Sequence, residues 1–154
     1  MATDFETFKA RLRRVVLILG VAQVLLGCLV GLIPPTAVHW FRGIVMAHIE
    51  FTANGVLMTV IGLLARELRL PRGVFHLWFW TLVVGTFANG GAGLVAAFSG
   101  QSSKLMPTLN QAFPPPGGAN SALVSDLLLL SGVAIIAALL LTLIGLARAD
   151  KQVT

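Results

Sequence analysis

Charged residues are scarce in this 154-residue chain, where they make up 11% of the sequence. A typical soluble domain carries about 25% charged residues, so the composition argues against a water-soluble protein. Hydrophobic residues supply 56% of the chain, and four apolar segments reach the length of about 20 residues that a helix needs to cross a bilayer. The sequence therefore predicts an all-α, four-span transmembrane bundle in one domain, residues 1–154. The predicted spans are 15–33, 44–64, 74–98 and 122–146.

Cysteine occurs once, as Cys28, and tyrosine does not occur at all. A single cysteine excludes an intramolecular disulfide and any cysteine-based metal or iron–sulfur motif. The chain also lacks a nucleophile elbow, a P-loop, a zinc-binding HExxH motif and a dinucleotide-binding fingerprint. None of the common soluble-enzyme motifs therefore accounts for its function.

The charges that are present are mostly basic, and the net charge is +5. In a four-span arrangement nine basic residues flank one side, whereas only Arg42 and Lys104 lie on the other. This bias follows the positive-inside rule and predicts a multi-pass membrane protein with both termini in the cytoplasm; in a bacterial cell that membrane would be the inner membrane. We interpret the basic residues as topology anchors near anionic lipid and not as a nucleic-acid site. The nine are Lys9, Arg11, Arg13, Arg14, Arg66, Arg69, Arg72, Arg148 and Lys151.

Short connections between the first three spans favour antiparallel neighbours and hence an up-down bundle. Pro34 and Pro35 end the first span, and Pro71 with Gly73 form the turn after the second. The loop over residues 99–121 is longer than a simple linker requires, which suggests a functional or capping role. The first apolar run lacks a small-residue cleavage site, so it is expected to be a retained span.

The segment MAHIEFTANG, residues 46–55, places three polar side chains inside the second span. Ionisable groups within membrane helices are costly and indicate a functional site by default. Glu50 and Asn54 are four residues apart and share a helix face, whereas His48 points roughly 120° away from Asn54. We therefore expect His48 to face one cleft, and the other two to face a neighbouring helix or subunit.

Each polar residue also has a structural interpretation. His48 is either a ligand or catalytic group, or a packing contact that bonds to a backbone carbonyl. Glu50 is either functional or simply protonated or paired with a group such as Arg42. Asn89 in the third span precedes a glycine-rich stretch, which either allows close helix packing or leaves room for a flat ligand. The residues alone thus predict a polar site centred on His48, Asn54 and Asn89.

Three stretches resemble the bacterial styrene oxide isomerases. AHIEFTANG is similar to their second span, and FANGG, residues 87–91, is similar to an aromatic-Ala-Asn-x-Gly stretch in their third span. The segment LNQAFPPPGG, residues 109–118, resembles their outer loop, which precedes an Asp-containing fourth span. The similarity extends over roughly residues 40–130, and the four-span layout fits as well.

The resemblance implies a homotrimeric membrane enzyme with haem b between its subunits. His48 would be the axial ligand, and Asn54 would contact an epoxide whose oxygen binds ferric iron as a Lewis acid. The ring then opens, a hydride shifts and a carbonyl compound forms without net electron transfer. A histidine-held haem with an open sixth position suits a small hydrophobic epoxide. The predicted catalytic residues are Asn54, Asn89 and Glu50, the predicted iron ligand is His48, and the predicted haem contacts are His48, Gly90 and Gly91.

The chain departs from the family pattern at two positions. Gly85 stands where the family has an acidic residue, and Gly93 stands where it has a tyrosine. Loss of the tyrosine is expected to open the pocket to a larger substrate. Two other functions fit the same residues: a non-catalytic haem b protein acting as an electron carrier or sensor, and a haem-free proton-coupled transporter that uses Glu50.

Overall fold

The computed structural model describes residues 2–148. Within that range the chain forms five α-helices and one short 3-10 turn, and contains no strand. Four of the helices are long and apolar enough to cross a membrane, which confirms the predicted four-span all-α fold. Lys151 lies outside the described residues. The helices are α1 Ala2–Val30, α2 Phe41–Leu64, α3 Arg72–Ser99, α4 Pro107–Ala112 and α5 Ala122–Ala147, and the 3-10 turn is Pro35–Ala37.

The helix boundaries follow from prolines, a glycine and a serine cap. Pro71 stands immediately before α3 with an extended ψ of 152°. A proline is tolerated at a helix start because the amide hydrogen that it lacks would have no partner within the helix there. Gly100 ends α3 at φ 69°, in the left-handed conformation that glycine adopts without strain. The Ser121 hydroxyl accepts a hydrogen bond from the Val124 amide at 3.3 Å and caps α5.

The spans pack mainly in chain order, α1 on α2, α2 on α3 and α3 on α5. Glycines bring α1 and α2 close together: a Cβ added at Gly20 would lie 2.9 Å from the Thr59 amide nitrogen, and one at Gly27 would lie 2.8 Å from that of Thr52. Small residues at helix crossings are the usual means of association where lipid removes the hydrophobic driving force. The interface between α1 and α2 is therefore determined by close contact between the two helix backbones.

A buried hydrogen bond ties α3 to α5. The indole nitrogen of Trp78, which is fully buried, donates to the Thr142 hydroxyl at 3.0 Å. Farther along the same interface, a Cβ at Gly85 would lie 2.8 Å from Ile135 Cγ1. Gly85 therefore provides close packing against α5 at the position where the related family has an acidic side chain.

Both described chain ends lie at the same end of the bundle, which we call the basic end (residues 2–14, 65–72 and 145–148). Lys9 Nζ donates to the Arg66 carbonyl at 3.4 Å, and Asp4 pairs with Arg72 at 3.3 Å. The Arg69 amide bonds to the Gly145 carbonyl at 3.1 Å. These contacts join α1, the α2–α3 turn and α5, as the up-down arrangement requires. Its cytoplasmic location remains a prediction.

The loop over residues 99–121 is folded against the opposite end of the bundle. Ser102 is fully buried; its amide donates to the Gly118 carbonyl at 2.9 Å, and its carbonyl accepts from the Ser121 amide at 2.9 Å. The Ser103 carbonyl accepts from Asn110 Nδ2 at 2.7 Å, so α4 is held to the same turn. The loop therefore caps the bundle, in agreement with the structural alternative drawn from its length.

The α2–α3 crossing contradicts the expectation that Gly93 opens a pocket. A Cβ at Gly93 would lie 2.7 Å from the Ala47 amide nitrogen, and one at Gly43 would lie 2.7 Å from Ala97 Cα. Two helix backbones thus meet at these glycines, with no free space between them. The sequence could not predict this packing, because a glycine in place of a larger residue is compatible both with a close neighbour and with empty space.

A pair of alanine substitutions distinguishes a glycine that allows two helices to pack closely, Gly93, from one that faces open space, Gly91. Gly93→Ala is expected to destabilise the folded protein by about 1–3 kcal/mol, because the neighbouring atom is backbone and cannot move aside cheaply. Gly91→Ala adds the same methyl group where no atom lies within 4 Å and is expected to be neutral or stabilising by up to about 1 kcal/mol. Thermal unfolding in detergent, followed by circular dichroism, measures both. Equal shifts in the two variants would contradict the close crossing.

Candidate functional site

His48 lies on the face of α2 that packs against α1. Its Nδ1 is 2.8 Å from the Gly27 carbonyl oxygen, and because a carbonyl only accepts, Nδ1 carries the proton of the neutral ring. Nε2 then holds the free lone pair, and it makes no hydrogen bond within residues 2–148. A histidine fixed through one ring nitrogen in this way presents the other as a metal ligand.

Gly27 of α1 and Gly31, in the turn directly after α1, form the recess that holds the imidazole ring. A Cβ at Gly31 would lie 2.8 Å from His48 Nδ1 and 3.2 Å from Cε1. A Cβ at Gly27 would lie 3.1 Å from the His48 carbonyl oxygen. Any larger residue at position 31 would displace the ring, so the orientation of His48 depends on this part of the first span.

Glu50 lies on a different face of α2, where it meets α3. Its Oε2 accepts hydrogen bonds from Asn54 Nδ2 at 3.3 Å and from Asn89 Nδ2. The structure therefore brings the three predicted catalytic residues into one cluster, which we call the carboxyl–amide cluster (Glu50, Asn54 and Asn89). Two amide dipoles directed at one carboxyl oxygen satisfy it where lipid offers no solvent. Glu50 Oε1 makes no hydrogen bond in the described part of the chain.

Arg42 is not the partner of Glu50 that one sequence interpretation offered. Its guanidinium carbon lies 3.4 Å from the centre of the Phe113 ring, which is a cation–π contact, and no ion pair joins it to Glu50 within residues 2–148. Arg42 and Glu50 instead line the same shallow groove of about 260 Å³ beside α4, with Met46 and Leu109 between them. The groove gives the carboxyl–amide cluster an opening on the surface of the bundle.

His48 and the carboxyl–amide cluster do not form one site within a single chain. Residues 48 and 50 are about 200° apart around a helix; His48 faces the Gly27–Gly31 recess on α1, whereas Glu50 faces α3 and the groove. The sequence spacing predicted this separation. The chain thus presents two separate polar faces of α2, one at His48 and one at Glu50, with the exposed residue Ile49 between them.

The two glycines predicted to contact a cofactor have different surroundings. Gly90 is buried, and a Cβ there would lie 2.5 Å from Phe51 Cε1, so it accommodates an aromatic ring of α2. Gly91 has no atom within 4 Å of an added Cβ and faces open space. Only Gly91 therefore leaves room beside α3 for a flat group from outside the chain.

The remaining histidines lie near the helix ends. His39 and His76 are both exposed, and the His76 ring lies 5.0 Å from that of Phe8. The described residues contain no group of three or more His, Cys, Asp or Glu side chains that could hold a metal ion. A metal at His48 would therefore need its other ligands from elsewhere, as a macrocycle supplies them.

One polar side chain was missed by the sequence analysis. Gln23 in α1 is fully buried, and neither its amide oxygen nor its nitrogen finds a partner among the described residues. The available signal was its place between Gly20 and Gly27, on the stripe that packs against α2. A polar residue on such a stripe must be buried with the glycines around it.

Four spans with an intramembrane histidine and a carboxyl–amide cluster define a multi-pass membrane protein with two polar half-sites within its helices. The chain belongs to the styrene oxide isomerase family, whose model matches residues 12–147. This match confirms the resemblance drawn from the three short motifs, and it extends well beyond them on both sides.

Two relatives are hydroxylaminobenzene mutases of Ectopseudomonas oleovorans. The mutase HabB is 37% identical over 98 residues, which are 64% of this chain and 59% of the relative. The mutase HabA is 36% identical over 88 residues, or 57% of this chain and 64% of the relative. The matches thus span about 60% of each relative. No solved structure matches the chain. Family and relatives together support a membrane enzyme of the isomerase or mutase type.

Proposed function

We propose that this protein is a haem b-dependent membrane isomerase that rearranges a small aromatic substrate by breaking a bond to oxygen, without net oxidation or reduction. The observation that carries the proposal is the hydrogen bond from His48 Nδ1 to the Gly27 carbonyl, which directs the Nε2 lone pair away from α1. The site chemistry fits haem because one fixed imidazole is the protein ligand that a five-coordinate haem requires. A ferric haem on His48 would supply a Lewis acid for the substrate oxygen.

Glu50 favours an N-arylhydroxylamine as the substrate. Such a molecule donates hydrogen bonds from both N–H and O–H, and a carboxyl oxygen is the matching acceptor. An epoxide only accepts, so it gains nothing from a carboxylate and would use the amide N–H groups instead. Oε2 already accepts from the two asparagines, whereas Oε1 makes no hydrogen bond in the described chain, and Glu50 lines the groove. The names of the two mutase relatives support the same substrate class.

The rearrangement of an arylhydroxylamine to an aminophenol requires a proton to be moved. The N–O bond breaks, an oxygen forms a bond to a ring carbon, and the proton displaced from that carbon reaches the nitrogen, so atoms and electrons balance. Glu50 Oε1 is the group suited to accept the ring proton and return it. Asn54 and Asn89 hold the carboxyl in place through Oε2, and their second N–H groups remain to orient the substrate.

An aryl epoxide is the second candidate substrate, supported by the description of the family model and by Asn54 at the matched position. Here the amide N–H of Asn54 would bind the epoxide oxygen as negative charge develops on it. The groove of about 260 Å³ beside Glu50 accommodates a small aromatic molecule of either class.

The complete site requires a second copy of the chain. His48 and Glu50 lie on faces of α2 that are about 200° apart, too far around the helix for one small substrate to contact both within a single chain. In a homotrimer with haem between subunits, His48 of one copy would face the carboxyl–amide cluster of the next. Closed cyclic assemblies bring two different faces of identical chains together in this way.

Measuring the haem content of variants tests whether His48 is the ligand of a haem iron. Purified protein from haem-replete cells is expected to show a Soret band, and the pyridine haemochromogen is expected to identify haem b. His48→Ala should lose most of the band, and so should Gly31→Val, because a side chain at position 31 would overlap the imidazole ring. His39→Ala and His76→Ala, which remove the exposed histidines, should keep it. A colourless wild-type preparation would contradict the proposal and favour the transporter.

Measuring turnover tests whether the protein catalyses either of the two proposed rearrangements. The ferric protein should convert phenylhydroxylamine to an aminophenol, or an aryl epoxide to a carbonyl compound, without an added cofactor, as followed by chromatography of the products. Reduction by dithionite should suppress turnover because ferric iron is the stronger Lewis acid. Glu50→Gln is expected to lower the rate with phenylhydroxylamine roughly 100-fold while leaving the Soret band intact. No turnover of either class by intact ferric protein would favour a non-catalytic haem protein.

Complementation between subunits tests the shared site. His48→Ala and Asn54→Ala chains, each expected to be poorly active alone, should recover about a quarter of the wild-type rate when coexpressed, because random mixing of cyclic trimers restores that share of unaltered sites. The matched control coexpresses His48→Ala with a His48→Ala, Asn54→Ala double variant, which contributes no intact His48. Activity no higher than that of the separate variants would show that each site is built within one subunit.

A further inference from the structure

A cavity of about 660 Å³ opens at the basic end of the bundle, far from the half-sites on α2. Three separate parts of the chain line it: Lys9 from α1, Arg66 and Arg69 from the α2–α3 turn, and Arg148 from the end of α5. The apolar helices end here, so the cavity lies where a membrane surface would meet the protein.

The charges around the cavity are not balanced within the described chain. Four basic side chains line it against two acidic ones, Glu6 and Glu67. Lys9 is engaged, since its Nζ lies 3.7 Å from Glu6 Oε1 and 3.4 Å from the Arg66 carbonyl oxygen. The guanidinium groups of Arg66 and Arg148 make no hydrogen bond or ion pair with residues 2–148. Each of these two unpaired guanidinium groups offers the forked set of donors with which arginine binds phosphate.

The cavity also occupies a gap in the packing of the bundle. The helix α1 packs mainly on α2, and α5 packs mainly on α3, so α1 and α5 share few contacts. At the basic end Lys9 of α1 and Arg148, which directly follows α5, line the same cavity. An anion between them would join the first and last spans. Phe5 and Leu70 supply an apolar border, which suits the glycerol and first methylene groups of a lipid.

We propose that this cavity binds the phosphate headgroup of an anionic phospholipid and thereby ties α1 to α5. Simple topology anchors differ from such a site in one respect: anchors act through their total charge, whereas a site depends on which arginines are present. Basic pockets between membrane helices are known to hold anionic headgroups. Arg11 and Arg14 provide the contrast, because they are exposed on α1 and do not line the cavity.

The test measures the melting temperature of the delipidated full-length protein in a non-ionic detergent, with and without added lipid. Phosphatidylglycerol in mixed micelles is expected to raise it by roughly 5 °C, whereas phosphatidylcholine and inorganic phosphate at the same concentration should not. The double variant Arg66→Gln, Arg148→Gln should lose the increase, and the double variant Arg66→Lys, Arg148→Lys should keep part of it. The matched double variant Arg11→Gln, Arg14→Gln, which removes the same charge at the same end, should respond like the wild type.

Three results would overturn the proposal. Equal responses of the two glutamine variants would mean that phosphatidylglycerol acts through general charge. An increase with inorganic phosphate as large as that with phosphatidylglycerol would mean that a free anion, and not a lipid, is the ligand. If the Arg66→Gln, Arg148→Gln variant does not fold, native mass spectrometry of the wild type decides, since a retained phosphatidylglycerol adduct supports the site and its absence after purification in added lipid overturns it.

Discussion

The inability of hydrocarbon to solvate polar groups is the constraint on which the rest of this structure depends. A polar side chain within a span is costly to bury unless it finds a partner on another helix or on its own backbone, and of the buried polar side chains discussed above within the spans only Gln23 has none among the described residues. His48 finds the Gly27 carbonyl, Trp78 finds Thr142, and Glu50 finds two asparagine amides. Each of these bonds also fixes how two helices meet, so the same groups that could perform chemistry determine the packing that positions them.

The sequence was sufficient to predict features that depend on a single helix. Hydropathy predicted the four spans, and the spacing of residues 48, 50 and 54 predicted that the histidine and the carboxyl face different neighbours. Contacts between helices could not be predicted, because they depend on register and distance across an interface. The bond from Asn89 to Glu50 and the packing of Gly93 against Ala47 are both of this kind, and the second one reversed an expectation.

Glycine has opposite effects at neighbouring positions of α3, which explains why composition alone was ambiguous there. Gly85, Gly90 and Gly93 are each filled by a neighbour, from α5 in the first case and from α2 in the other two, whereas Gly91 faces open space. Three glycines thus bring α3 close to both of its neighbours, and this closeness is what allows the Asn89 amide to reach Glu50. Of the two interpretations that the sequence left open for this stretch, close helix packing holds at Gly85, Gly90 and Gly93, and only Gly91 leaves open space.

Under the proposed function, the positions of His48 and Glu50 on α2 would allow the substrate to change while the metal ligand stays the same. The recess that orients His48 is built by α1, and the carboxyl–amide cluster is built by α2 and α3. Substitutions at the cluster therefore alter the hydrogen-bond acceptors offered to a substrate while the imidazole keeps its partner. Specificity is a difference between affinities, and an added carboxyl favours substrates that donate hydrogen bonds over those that only accept them. Under the proposed function, Glu50 would thus be the residue at which this chain discriminates between hydroxylamines and epoxides.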